Sequence, residues 1–249
     1  MSIHLLNCFT CNARWPSKLK TGMACSLVET DQGLALVDTG LGLGDYAHPT
    51  WMTQLFRLIT SMPFDPQEAA VHRIRQLGYR PGDVRHILLT HMHFDHISGL
   101  PDFPHAQVHV HRREFEAFTS GKIRQCTEHA YLPRYIAHRP NFALYDKVDA
   151  QWYDFDAIRL PFEPEMYFIP LFGHSRGHCG VAIRTSTGWF FQAGDAGAVY
   201  NNESPAWLIR LVLGPHDPRL RAFMRAHPEV LVANSHMFPE FFAQHPVVV

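Results

Sequence analysis

Thr90-His91-Met92-His93-Phe94-Asp95-His96 is the stretch on which the reading of this chain turns, and it follows directly on the apolar run Ile87-Leu88-Leu89. A buried strand that ends in a tight loop aims these side chains at one point in space. His91, His93, Asp95 and His96 can each bind a transition metal. Imidazole suits zinc and its neighbours, and a carboxylate adds charge and can hold a second ion. A lone His-x-His arises by chance on an alternating strand face. The full His-x-His-x-Asp-His is far more specific, and it favours a metal site over a polar strand end with satisfied histidines.

The pattern resembles the metallo-β-lactamase superfamily of binuclear metal hydrolases, and the resemblance extends beyond one motif. Val37-Asp38-Thr39-Gly40 is similar to the family's early strand-to-turn marker. Gly173-His174-Ser175-Arg176-Gly177-His178 resembles its third histidine motif. Ala193-Gly194-Asp195 resembles the strand end with the bridging aspartate, and Asn234-Ser235-His236 the final histidine. These motifs keep family order from about residue 24 to residue 236. The resemblance implies an α/β fold, an αββα sandwich, with residues 1–249 as a single domain carrying an apolar insertion at about 41–64.

Composition sets bounds on the rest. A chain of 249 residues makes one sizeable domain or two small ones. A hydrophobic content of 46% with 18% charged residues is ordinary for a soluble globular protein. The net charge of -1 offers no basic face for nucleic acid. Cys8, Cys11, Cys25, Cys126 and Cys179 form an odd set without repeated spacing, which argues against a secreted disulfide framework. Cys8-x-x-Cys11 has no second pair to complete a zinc knuckle. No signal-peptide pattern opens the chain, and no apolar run approaches the roughly 20 residues of a membrane span. A cytoplasmic protein, with no membrane partner, is expected.

Taken in order, 24–38 reads as a hairpin turning at Asp31-Gln32-Gly33, with Asp38 closing its second strand. Residues 41–64 are dense in large apolar groups. Trp51, Leu55, Leu58 and Met62 have helical spacing, which suits core packing, while an insertion of this length also suits a lid or binding loop. Asp65-Pro66-Gln67-Glu68 reads as a helix start in which Asp65 caps and Glu68 reaches back, with Val71, Ile74 and Leu77 on one face and Gly78 at the end. His109 and His111 share one strand face, and a surface or supporting role is expected of them rather than metal binding. Phe115 and Phe118 suggest a helix. Cys179–Arg184 and Trp189–Ala193 read as a hairpin ending at Asp195. Leu220, Phe223 and Met224 mark an apolar helix face, leaving Arg219, Arg221 and Arg225 to solvent.

Carried over motif by motif, the resemblance implies that His91, His93 and His174 hold one metal. Asp95, His96 and His236 then hold a second, with Asp195 bridging. Two divalent ions are expected, Zn2+ by default for imidazole and carboxylate ligands. The implied chemistry is hydrolysis by a metal-bridging hydroxide. Asp38 and His178 are expected to support the ligands from behind, His178 by a hydrogen bond.

Within the superfamily the acyl-homoserine lactonase branch is nearest in pattern, so the expected substrate is a small lactone or carboxylic ester with an apolar acyl group. That branch carries a tyrosine three residues after the bridging aspartate, where this sequence has Ala198. Tyr200 is the nearest substitute and joins Asp95 as a catalytic candidate. A thioester or phosphoester hydrolase of the same superfamily is the alternative reading. A non-catalytic metal-stabilised binding protein is the alternative from another class, disfavoured by the intact ligand set. The oligomeric state is left open by the sequence.

Overall fold

Adjacent residues of the strands part to opposite layers, and that alternation builds the architecture. A computed structural model describes residues 2–13, 19–198 and 205–248. The first sheet takes β1 (Ile3–Ala13), β2 (Leu19–Thr30), β3 (Gly33–Val37), β4 (Val84–Leu88), β5 (Gln107–His111) and β6 (Asn141–Tyr145). These lie side by side in chain order. The second takes β7 (Ala150–Trp152), β8 (Phe155–Arg159), β9 (Met166–Pro170), β10 (Cys179–Arg184), β11 (Trp189–Gln192) and β12 (Leu231–Ala233), again in order. The chain then returns to the first sheet. β13 (His236–Met237) pairs with β2, and β14 (Val247–Val248) pairs with β1.

Val28, Ala35, Val37 and Leu88 point from the first sheet into a core shared with Phe168, Val181, Ile183 and Phe190 of the second. Their sequence neighbours Leu27, Leu36 and Ile87 face the other way, against Val71 and Ile74 of α3 (Ala70–Gln76) and Phe118 of α5 (Arg112–Thr119). On the far side, Tyr167, Ala182 and Phe191 pack on Leu220 and Phe223 of α7 (Asp217–Ala226). Strands buried on both faces read as near-continuous apolar runs. The layers are therefore helix, sheet, sheet, helix, as expected. One polar link crosses between the sheets. Ser26 Oγ donates to Gln192 Oε1 at 2.5 Å and Gln192 Nε2 donates to Ala24 O at 2.9 Å, all fully buried.

The 24–38 hairpin forms as read, with Thr30 opposite Gly33 and Gly33 at φ +108, the left-handed region a tight turn needs. Three other readings change. The insertion contains α1 (Leu43–Ala47) and α2 (Trp51–Thr60), but the core-facing stripe of α2 is Met52, Thr53 and Phe56. Trp51, Leu55 and Leu58 are exposed, and only Met62 of the spaced set is buried. Apolar groups on both sides of this helix left the sequence with two possible stripes.

Asp65 does cap, accepting from Gln67 N at 2.9 Å, but Pro66–Glu68 is a single 3-10 turn ahead of α3. Glu68 accepts instead from Thr10 Oγ1 at 2.6 Å and pairs with Arg73 at 3.5 Å, while Leu77 is exposed. Arg219 and Arg221 are not merely solvated. The Arg219 guanidinium lies 3.9 Å from the Phe155 ring centroid, and Arg221 reaches Asp217 at 2.7 Å and Ala198 O at 2.6 Å.

No helix among the described residues is long and apolar enough to cross a membrane. The layer assignment makes a direct prediction for equilibrium denaturation. Phe168→Ala, in the core between the sheets, should lower unfolding free energy by about 3–5 kcal/mol. Leu58→Ala, at a side chain 78% exposed, should stay within about 0.5 kcal/mol of wild type.

Candidate metal centre

The motif loops deliver their side chains from the ends of four strands. β4 ends at Leu88, and the chain then turns to bury His91 and His93 before α4 (Phe94–Ile97), whose first turn buries Asp95 and His96. His174 follows β9, and Asp195 follows β11 beyond Gly194, at φ +62. His236 opens β13, seated opposite Met23 of β2.

These segments converge. His93 Nδ1 lies 3.0 Å from both His91 Nε2 and His174 Nε2. Asp95 Oδ2 lies 3.9 Å from His96 Nε2 and 3.6 Å from His236 Nε2. Asp195 Oδ2 sits between the groups, 4.0, 3.5, 3.4 and 3.7 Å from Nε2 of His91, His96, His174 and His236. Donor atoms lie within 4.8 Å of one another in three overlapping sets: His91, His93 and His174; His91, His96 and Asp195; Asp95, His96 and His236.

Hydrogen bonds behind the rings decide which nitrogens are free. His174 Nδ1 donates to Val212 O, in α6 (Ala206–Leu213), at 2.8 Å. A carbonyl only accepts, so the neutral His174 ring presents a lone pair at Nε2. His96 Nδ1 donates to Asp38 Oδ2 at 2.9 Å, leaving its Nε2 buried without a hydrogen-bond partner. Asp38, at φ +56, also accepts from Thr90 N at 2.9 Å and Thr90 Oγ1 at 2.8 Å. Thr90 Oγ1 in turn takes His91 Nδ1 at 3.0 Å.

Charge follows the same plan. Burial, with the imidazoles of His96, His93 and His174, holds His91 well below the ordinary histidine range. Burial and then His174 do the same to His93. Burial opposes charge on Asp195, yet His236, His96 and His174 hold its carboxyl well below the usual range. Burial likewise opposes charging His96, but Asp38, Asp95 and Asp195 push its pKa well up, so this position favours positive charge. Neutral imidazole lone pairs converging beside carboxylates repel one another unless a cation lies among them. The donor set fits divalent metal ions.

All of His91, His93, Asp95, His96, His174, Asp195 and His236 are thus brought together, and Asp38 supports them from behind as read. His178 is fully buried, and its Nε2 accepts from Asp195 N at 3.0 Å. Burial, then His174, brings its pKa down to about 3, which keeps it neutral and able to accept. Gly194 permits this contact, since a Cβ there would lie 2.4 Å from His178 Nε2.

Of the surface and supporting roles expected of them, His109 and His111, both buried, take the supporting one. His109 bonds Tyr145 OH at 2.8 Å and His86 at 3.0 Å, and His111 caps α5 by accepting from Arg113 N at 3.1 Å. Cys8 and Cys11 are buried free thiols that join no donor group among the described residues. Tyr200 lies outside the described residues. Among the buried charged groups that the sequence does not single out, with Asp45 and Glu128, is Glu114. Glu114 joins the loops carrying His93 and His174, yet within Arg-Arg-Glu-Phe-Glu it reads as part of a solvated charge run.

Comparison with known proteins agrees with this geometry. Residues 23–236 match the family model described as the metallo-beta-lactamase superfamily. The chain belongs to that superfamily. A Mycobacterium tuberculosis protein named as a probable metallo-hydrolase is 38% identical over 202 residues, covering 79% of this chain and 62% of the relative. The chain thus spans about three fifths of that relative's length. An N-acyl homoserine lactonase of Bacillus cereus is 27% identical over 162 residues, covering 65% of this chain and 58% of the relative. Among solved structures, a mutant of B. thuringiensis AiiA with N-decanoyl-L-homoserine at its active site superposes with a TM-score of 0.70. That match has 19% identity and covers 97% of this chain and 95% of the other.

Removing the support behind His96 should be felt at the metal. Asp38→Asn keeps size but cannot accept from Thr90 and His96 with both atoms. A 10- to 100-fold weaker metal affinity is expected by chelator competition. An unchanged affinity would show that Asp38 serves only its turn.

Proposed function

We propose that this protein is a binuclear metal-dependent hydrolase acting on a lactone or carboxylic ester with an apolar acyl portion. The observation that carries the proposal is the seat of Asp195. One carboxylate oxygen lies within 4.0 Å of Nε2 of His91, His96, His174 and His236, which belong to two different donor sets. In this reading His91, His93 and His174 hold one ion, Asp95, His96 and His236 hold another, and Asp195 serves both. Zinc is the expected metal.

Bound ions supply Lewis acidity toward a carbonyl oxygen and toward the ionisation of water. The remaining work falls to the chain. Asp38 and Val212 O keep the ring protons on Nδ1 of His96 and His174, so that their Nε2 atoms face inward. Asp95, with its side chain 10% exposed, is the carboxylate assigned to take up a proton and return it to the leaving oxygen. Tyr200 is assigned to the substrate carbonyl on its sequence position alone.

Two features favour an apolar acyl group. The relatives include proteins named as N-acyl homoserine lactonases. The inner face of α2 also lies one aromatic layer from the metal ligands. Phe56 meets Phe9 edge-on at 6.0 Å and Phe94 at 5.4 Å, and the Phe9 ring lies 6.0 Å from that of His236. Phe94 itself stands between His93 and Asp95 in sequence.

Reconstituted protein is expected to take up two zinc equivalents by elemental analysis. Asp195→Ala should lose metal and abolish turnover; a stoichiometry that stays at one or below sinks the binuclear reading. Across a screen of lactones, aryl esters, thioesters and phosphodiesters, lactones or esters should turn over fastest. Within that class kcat/KM should rise with acyl length by up to about four-fold per methylene, the scale of about 0.8 kcal/mol for each buried CH2. Phe56→Ala should flatten the length trend while a small ester is still hydrolysed. Lower melting temperature with the trend intact would make this wall a packing element only.

A further inference from the structure

Glu114 is the third residue of α5, and it has no exposed surface. Its Oε1 accepts from Met92 N at 2.9 Å and Tyr131 OH at 2.8 Å. Its Oε2 accepts from Ser175 Oγ at 2.7 Å and Gly177 N at 2.9 Å. Met92 stands between His91 and His93, and Ser175 directly follows His174. One carboxylate therefore clasps two loops, far apart in sequence, that together furnish the His91, His93 and His174 set. The clasp is tight. A Cβ on Gly177 would fall 2.1 Å from Glu114 N and 2.6 Å from its Cα. Tyr131, bonded to the same carboxylate, also places its ring 5.3 Å from that of His93.

All four donors to Glu114 are neutral. The arginines nearby are committed elsewhere. Arg176 pairs with Glu128, Arg112 with Asp146 at 2.5 Å, and Arg113 stacks on Phe172 at 4.7 Å. A fully buried carboxylate is costly unless a positive charge lies close by. Four hydrogen bonds and the N-terminal turn of α5 offset part of that cost, and a cation held by the imidazoles whose loops Glu114 joins would offset more.

We propose that Glu114 is a positioning residue for the ion held by His91, His93 and His174, fixing the spacing of His93 and His174 and supplying the balancing charge. Asp38 stands behind His96 of the other set and, through Thr90, behind His91, whereas the hydrogen bonds of Glu114 reach only the loops of the first set. This rests on reading the centre as a two-metal site.

The test is zinc titration of metal-stripped protein by calorimetry against a competing chelator. Wild type should show two uptake events. His236→Ala removes a ligand of the second set alone, and the event it retains belongs to the first. In that background Glu114→Gln should weaken the retained event 10- to 100-fold, the usual scale for a partner behind a ligand. In a His174→Ala background, which retains the second set, Glu114→Gln should leave the remaining event unchanged.

Equal weakening in both backgrounds, or none in either, overturns the assignment to one site. A single event in wild type overturns the two-metal reading itself. Ser175→Ala keeps the carboxylate and deletes one donor, and it decides the matter should Glu114→Gln fail to fold. It should weaken the first-set event about five-fold, the scale of one hydrogen bond, without touching the second. No effect at the first set, or an equal effect at both, overturns the proposal.

Discussion

Imidazole nitrogens brought to 3.0 Å of one another, with carboxylate oxygens 3.4–4.0 Å away and almost no solvent between, are the constraint on which the rest of this structure depends. Such a cluster has a cost in any folded chain. Lone pairs repel, and buried carboxylates lose hydration that only a positive charge or several hydrogen bonds can replace. The surroundings answer this from behind each group. Asp38 and Val212 O hold ring protons away from the centre, His178 accepts from the backbone of Asp195, and Glu114 binds two ligand loops together. Each device fixes an orientation that a divalent ion can use.

The sandwich provides the rigid base for that arrangement. The loops that carry the clustered histidines and aspartates run from residue 91 to residue 236, and a single sheet would spread them along an edge. Two face-to-face sheets bring the ends of β4, β9 and β11 together. The chain's return from β12 to the first sheet then closes the ring with His236. The buried Ser26–Gln192 bond holds β2 to β11, the strands next to His236 and Asp195, so register errors between the sheets would leave polar groups unsatisfied. Such a bond adds specificity to a core that is otherwise apolar.

The segment after β3 carries apolar groups on both sides of α2. Its inner stripe joins Phe56 to Phe9 and Phe94 beside the ligands, while Trp51, Leu58 and Ile59 remain exposed on the outer side. Ala198, three residues after Asp195, has its backbone N–H tied to Asp217 Oδ1 at 2.9 Å. The segment following Asp195 is thus anchored on α7 at Ala198.

Much of the fold and of the site was legible from the chain itself. Short-range chemistry explains why. His-x-His-x-Asp-His, Gly-His and Gly-Asp place ligand types at spacings that a strand end and a tight turn convert directly into direction. Near-continuous apolar runs state which strands are buried. Positions that depend on two distant segments were not legible. Glu114 looks like any charged residue of a helix, because what makes it special is the meeting of Met92 N, Ser175 and Gly177 from loops over 80 residues apart. For His109 and His111 the sequence leaves surface and supporting roles open, because period-two alternation shows that two residues share a face, not which face is covered. The inner stripe of α2 was misassigned for the same reason. Local sequence determined the ligand types and the strands that carry them, whereas only tertiary packing decided which polar groups lie behind the ligands, since a buried hydrogen bond takes its meaning from partners the local sequence does not contain.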